Sequence, residues 1–225
     1  MITTVLLDAG GTLVMPNFVR IATEFGRDGV VVTPESLELA EIEMRLAYER
    51  PSLSRGHGDP WIAYMQELAR LARVSHLPVE AFERLRHYHD TENLWENIIE
   101  GTEAALASLA VRFRLGIISN ANGTVRESFA RLGLGHFFET IVDSAEEGCE
   151  KPDPRIFRVA LNRMQLDVSE VAYVGDIFRV DIIGARGVGM RGILLDIHGY
   201  HADKPCERVR ALADLEALLT AQQKE

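Results

Sequence analysis

One carboxylate in this chain stands where an acid has no solvating task. Asp8 follows the apolar run Val5-Leu6-Leu7 and opens the glycine-rich turn Ala9-Gly10-Gly11-Thr12. Three further apolar runs lead to polar groups in the same way. Ile117-Ile118 ends in Ser119-Asn120, Thr140–Asp143 leads into Glu150-Lys151-Pro152, and Val171–Val174 ends in Gly175-Asp176, with Asp181 one helical turn on. Singly, each reads equally well as a helix cap or turn residue, because Ser and Asp favour helix starts. Together they supply a nucleophilic carboxylate, a hydroxyl donor, a long cation and two more carboxylates. Lys151 stands out by usage: of 24 Lys and Arg residues only three are lysine, leaving 21 arginines. A lysine beside prolines suggests a position that wants a compact ammonium rather than a guanidinium fork. The set suits phosphoryl transfer. Hard Mg²⁺ takes oxygen ligands such as Asp8 and Asp176. The metal and Lys151 would neutralise the transferring group, with Ser119 donating a hydrogen bond. Asp8 could then attack phosphorus and form an aspartyl phosphate that water cleaves.

The elements that must position these groups are readable from periodicity. Ile2 to Asp8 reads as a buried strand. From about Pro16 to Trp95 the pattern is helical throughout, with Thr33-Pro34 and Asp59-Pro60 as N-cap and N1-proline starts. Another helix runs through Val79, Phe82 and Leu85. A breaker-rich loop, 50–58, separates the first two and carries Arg50, Arg55 and His57. The period then changes. Helices are expected over Thr102–Ala110, Val125–Leu132, Asp153 to about Met164, Asp181–Gly187 and about Glu207–Leu219. Strands are expected over Phe113–Ser119, Thr140–Asp143, Val171–Val174 and Gly192–Leu195. Such alternation implies a parallel sheet covered on both faces. The expected fold is therefore a doubly wound, Rossmann-like α/β core, residues 1–14 and 99–225, with an all-helical domain, residues 15–98, inserted after the first strand. In such sheets ligands bind beyond the carboxyl ends of the strands, where the polar residues above belong.

Composition narrows the partners. At 225 residues with 47% hydrophobic and 26% charged residues the chain is ordinary for a globular protein. A net charge of −10 argues against nucleic-acid or anionic-membrane partners. Two cysteines without CxxC spacing suggest reduced thiols in a cytoplasmic protein. No basic leader precedes the first apolar run, and no stretch of about 18 apolar residues is present.

The motifs, in order, resemble those of the haloacid dehalogenase (HAD) superfamily: Asp8-Ala9-Gly10-Gly11-Thr12, Ile117-Ile118-Ser119-Asn120, Lys151-Pro152-Asp153-Pro154, and Gly175-Asp176 followed by Asp181. The helical insert resembles the family's C1 cap, a lid over small substrates. The resemblance implies a Mg²⁺-dependent phosphatase acting on a small phosphorylated metabolite. Asp8 would be nucleophile and metal ligand, with the Gly10 carbonyl and Asp176 as further ligands. Ser119 and the Asn120 backbone would bind phosphoryl oxygens. Lys151 would hold the phosphoryl group and Asp8 together, Asp181 would orient Lys151 or a metal-bound water, and Thr12 would support the first loop.

Gly10 departs from that pattern. Family phosphatases carry Asp there as general acid and base, a relay typically worth about 10²–10⁴-fold. Glycine keeps the carbonyl and removes the relay, which leaves three readings open. The first is a phosphatase that is slow or suited to good leaving groups, with His57 as a candidate proton donor and Arg50, Arg55 and Trp61 as candidate substrate contacts. The second is a 2-haloacid dehalogenase-like hydrolase. The third is a weak or inactive phospho-ligand-binding protein. A Schiff-base mechanism of the phosphonoacetaldehyde-cleaving type would need a cap lysine, and residues 14–98 contain none. The substrate and the oligomeric state are not legible.

Overall fold

The computed structural model describes residues 1–48 and 60–221. Arg50, Arg55 and His57, and the expected cap at Asp59, lie outside the described residues. The elements follow in chain order: β1 (Thr4–Leu7), β2 (Val14–Pro16), α1 (Phe18–Gly26), α2 (Pro34–Tyr48), α3 (Pro60–Leu71), α4 (Val79–Glu92), β3 (Trp95–Ile98), α5 (Thr102–Ala110), β4 (Arg114–Ser119), α6 (Val125–Arg131), β5 (Thr140–Asp143), α7 (Ser144–Glu147), α8 (Pro154–Met164), β6 (Val171–Gly175), α9 (Ile183–Gly187), β7 (Arg191–Leu195), β8 (Glu207–Val209) and α10 (Leu215–Ala221). They form two compact units, residues 1–15 with 96–225, and residues 16–95. Among the described residues, no helix is long and apolar enough to cross a membrane, and Cys149 and Cys206 are both free thiols.

The first unit is built on a six-stranded sheet in the order β5-β4-β1-β6-β7-β8. Every pairing is parallel. The chain lays β4 and β5 on one side of β1, then crosses to place β6, β7 and β8 on the other. The strand order therefore reverses between β1 and β6, and the crevice beyond their carboxyl ends is where doubly wound sheets bind ligands. Strands buried on both faces must be apolar throughout, and Val5, Leu6 and Leu7 are fully buried. One face packs Leu6, Ile118, Val142 and Tyr173 against Ile156, Phe157, Ala160 and Met164 of α8 and Ala185 of α9. Fully burying a side chain of this size is worth about 1.5–3 kcal/mol. Asp153 caps α8 as its sequence suggests, its carboxylate accepting the Arg155 N–H at 2.8 Å with Pro154 in the first turn.

Two expected elements differ in the structure. The last helix does not begin at Glu207. Glu207–Val209 is β8, paired to β7 with Ile193 opposite Glu207 and Leu195 opposite Val209, followed by a 3₁₀ turn at Leu212–Asp214 and then α10. The open edge of the sheet supplies backbone partners, and Arg191 grips the Glu207 carboxylate through two 2.7 Å bonds. Pairing thus outweighs the weak helical pattern. The helix expected to start at Asp181 is preceded by a wide π turn, Phe178–Ile182. The Asp181 N–H bonds to Ile177 O at 2.8 Å, while its carboxylate takes the Ile177 N–H at 2.9 Å.

The second unit is helical. Its interior holds Phe18, Ile21 and Phe25 of α1, Leu37, Ala40 and Met44 of α2, Met65 and Leu68 of α3, and Leu85 of α4. Thr33 caps α2, its hydroxyl accepting the Ser36 N–H at 3.2 Å. Among the described residues, the helical reading of this segment gives way at its margins, where Val14–Pro16 and Trp95–Ile98 pair as β2 and β3.

Candidate active site

β1 ends at Leu7, opposite Ile117 of β4 and Val174 of β6. Asp8 therefore emerges level with the ends of both neighbours, and its N–H still bonds to Val174 O at 2.8 Å. The next residues fold back on themselves. Ala9 O accepts the Leu13 and Val14 N–H groups at 2.8 and 3.0 Å, and the Gly11 N–H bonds to Val14 O at 2.7 Å. Gly11 holds φ +83°, a left-handed conformation that favours glycine. Gly10 is not among the positive-φ glycines; it forms an isolated bridge with Val14. Buried Thr12 donates its hydroxyl to Asp176 Oδ1 at 3.3 Å, tying the first loop to the end of β6.

Lys151 is the hub. It is 4% exposed, and its ammonium donates to Asp8 Oδ1 at 2.5 Å, Asp181 Oδ1 at 2.8 Å and Tyr173 Oη at 2.9 Å. An ammonium has three protons, and all three are engaged. Its backbone is fixed as well. The Lys151 N–H bonds to Asn120 Oδ1 at 2.7 Å, and Asn120 Nδ2 donates to Lys151 O at 2.9 Å. The Asn120 side chain is thus a strut between two loops, while Ser119 beside it is buried at the end of β4.

Gly175 makes room for this arrangement. A Cβ there would fall 2.3 Å from Asp181 Cγ and 2.6 Å from its Cβ. Only a residue without a side chain lets Asp181 fold over the end of β6 and reach Lys151. Gly175→Ala is expected to cost about 1–3 kcal/mol through overpacking, read as a lower urea midpoint. An unchanged midpoint would show that Asp181 moves aside freely.

Charge is unbalanced here. Oxygens of Asp8, Asp176 and Asp181 lie within 4.8 Å of one another, and among the described residues Lys151 is the ammonium bonded to Asp8 and Asp181. Burial raises the Asp8 pKa; Lys151 opposes this, Asp181 and Asp176 add to it, and the result is about 7. Burial works against the charge on Lys151, but Asp181 and Asp8 outweigh it and hold its pKa above the usual lysine range. Tyr173 is pushed well above its ordinary value by burial and then by the same carboxylates. Burial leads the Asp8 shift and the neighbouring carboxylates add to it, while the same negative charge holds Lys151 protonated. That negative charge, on three oxygen donors, fits a hard divalent cation.

The structure brings together Asp8, Thr12, Lys151, Asp176 and Asp181 through hydrogen bonds or close spacing of their oxygens, and sets Ser119 and Asn120 on the adjoining strand end. Trp61 lies in the helical unit, where its ring stacks on His89 with centroids 5.8 Å apart. Tyr173 escapes sequence inspection because a tyrosine in a central strand reads as core. Its signal is the hydroxyl, which needs a partner once buried.

Comparison with known proteins agrees with this geometry. The model of the haloacid dehalogenase-like hydrolase family matches residues 2–189. A glyceraldehyde 3-phosphate phosphatase of Methanopyrus kandleri is 28% identical over 232 aligned positions, covering 96% of this chain and 99% of that protein. The magnesium-bound HAD hydrolase YfnB of Bacillus subtilis superposes with a TM-score of 0.75 at 18% identity, covering 97% and 98% of the two chains. A 2-haloacid dehalogenase of Pseudomonas syringae gives 0.64 at 25% identity, covering 99% and 100%. A parallel sheet of this order, a buried Asp–Lys–Asp cluster at its switch point and a family match over most of the length place the chain among the haloacid dehalogenase-like hydrolases.

Proposed function

We propose that this hydrolase is a Mg²⁺-dependent phosphatase of small phosphorylated metabolites that works through an aspartyl phosphate on Asp8. The observation that carries this reading is the surplus of carboxylate around one ammonium at the switch crevice. Asp8, Asp176 and the Gly10 carbonyl would hold the cation, with Asp181 nearby. Bound there, Mg²⁺ would supply Lewis-acid neutralisation of phosphoryl oxygens. The name of the whole-length archaeal relative supports a phosphorylated metabolite as substrate.

The chain's own groups then divide the work. Lys151 fixes the Asp8 carboxylate through Oδ1 and presents its charge to the phosphoryl group. Ser119 donates its hydroxyl to a phosphoryl oxygen, and the Asn120 backbone is placed to do the same. Asp8 attacks phosphorus as the ester P–O bond breaks, and the departing alkoxide takes its proton from solvent. Water then attacks the phosphorus of the aspartyl phosphate, releasing phosphate and restoring Asp8. Asp181 orients Lys151, and Thr12 steadies Asp176. The helical unit is read as the family's C1-type cap. Gly10 offers no proton to the leaving alcohol, so turnover is fastest where the leaving group needs none.

The dehalogenase reading keeps a hearing because a structure of that activity aligns over the full length. The three-carboxylate cluster favours the phosphatase, since attack on carbon calls for no cation. An aryl phosphate should be hydrolysed with Mg²⁺ and spared with chelator. Halide released from a 2-haloacid in chelator would reverse the choice. Neither activity, with Mg²⁺-dependent binding of phosphate, would instead mark a binding protein.

A further inference from the structure

Lys151 is held by two carboxylates and by one neutral group, and the neutral group is not accounted for by charge. The Tyr173 hydroxyl lies 2.9 Å from Lys151 Nζ, 3.2 Å from Ile118 O and 3.2 Å from Asp181 Oδ1. Its ring is fully buried in β6 and is pinned edge-to-face against Phe157 of α8, with centroids 5.2 Å apart and planes at 76°. The hydroxyl accepts one proton from Lys151, so its own single proton goes to Ile118 O or Asp181 Oδ1. Ile118 directly precedes Ser119. The tyrosine therefore stands between the end of β4 and the lysine.

We propose that Tyr173 is a positioning residue. Its hydroxyl takes the third ammonium proton and fixes the direction in which Lys151 presents its charge to Asp8 and to a phosphoryl group. Two carboxylates alone would draw the ammonium into the line between them, whereas a third acceptor on a rigid ring sets a fixed tripod. The ring cannot swing away because β6 and α8 enclose it. Phenylalanine at this position keeps the ring and its packing and removes only the tripod's third leg.

This inference rests on the phosphatase reading of Lys151, and orthovanadate binding in Mg²⁺ tests the two separately. Calorimetry on the full chain gives the vanadate affinity without requiring turnover. Tyr173→Phe is expected to weaken vanadate about 10-fold, the scale of one lost hydrogen bond to a charged group, while its melting midpoint stays near wild type. The decisive comparison is a double-mutant cycle. In a Lys151→Met background, adding Tyr173→Phe should change vanadate affinity by less than about 2-fold, because a residue acting through Lys151 has nothing left to position. An equal 10-fold loss in both backgrounds would overturn the proposal, since it would assign Tyr173 a structural role independent of Lys151. Unchanged affinity in the single variant would overturn it too. Failure of the wild type to bind vanadate in Mg²⁺ would remove the phosphatase reading itself and this inference with it.

Discussion

Asp8→Asn is expected to lower turnover of an aryl phosphate in Mg²⁺ by about 10⁴-fold or more, the scale of losses when a covalent nucleophile is removed. Asparagine matches the shape of aspartate and keeps a carbonyl oxygen for Lys151, which still has Asp181 and Tyr173 as partners. The lesion is therefore chemical, and a thermal melt close to wild type should show that the fold survives. Intact mass after rapid quench provides a second readout. The wild-type chain should carry a phosphoryl adduct that the variant lacks. Retention of wild-type turnover in Asp8→Asn would dismiss Asp8 as nucleophile, and with it the aspartyl phosphate.

Gly10→Asp should work in the opposite direction and raise turnover of alkyl phosphates by about 10²–10⁴-fold, the usual worth of a placed general acid and base. The gain should be smaller for aryl phosphates, whose leaving groups demand less protonation. The backbone permits the change in one respect that matters: the left-handed conformation in this turn belongs to Gly11, not to Gly10. The second glycine must stay, while the first is free of that constraint. A Mg²⁺ titration of the variant should accompany the kinetics, so that altered metal binding is not mistaken for altered proton transfer. A well-folded, metal-binding Gly10→Asp with no gain would mean that another group already supplies the proton.

Much of this site is legible in the sequence because strand ends announce themselves. A buried parallel strand must be apolar, so an acid, a hydroxyl or a Gly-Asp pair that closes such a run is conspicuous. Asp8, Ser119 and Asp176 are visible for that reason. Lys151 is visible because lysine is rare in this chain. What escapes inspection depends on partners far along the chain. The Asn120 side chain is spent on the Lys151 backbone 31 residues away, a role that local pattern does not contain. Tyr173 is hidden by its own apolar body. β8 is hidden because Glu207-Arg208-Val209 is short and charged, and the sheet edge decides its conformation. Gly175 is visible as part of a motif, but its reason, the volume occupied by Asp181, emerges only in three dimensions.

The Lys151 cluster also bears on how the molecule reaches its native state. Lys151 bonds to Asp8 across 143 residues, to Asp181 across 30 and to Tyr173 across 22. No local segment can assemble it. Contacts of such separation form only after loop closure has been met by other interactions, here the pairing of β1 with β4 and β6. Until then the ammonium and its carboxylates stay hydrated, and an incomplete chain has no dry place to put them. The cluster is thus expected to form late in folding, with its charges dehydrated once the sheet that holds them has closed.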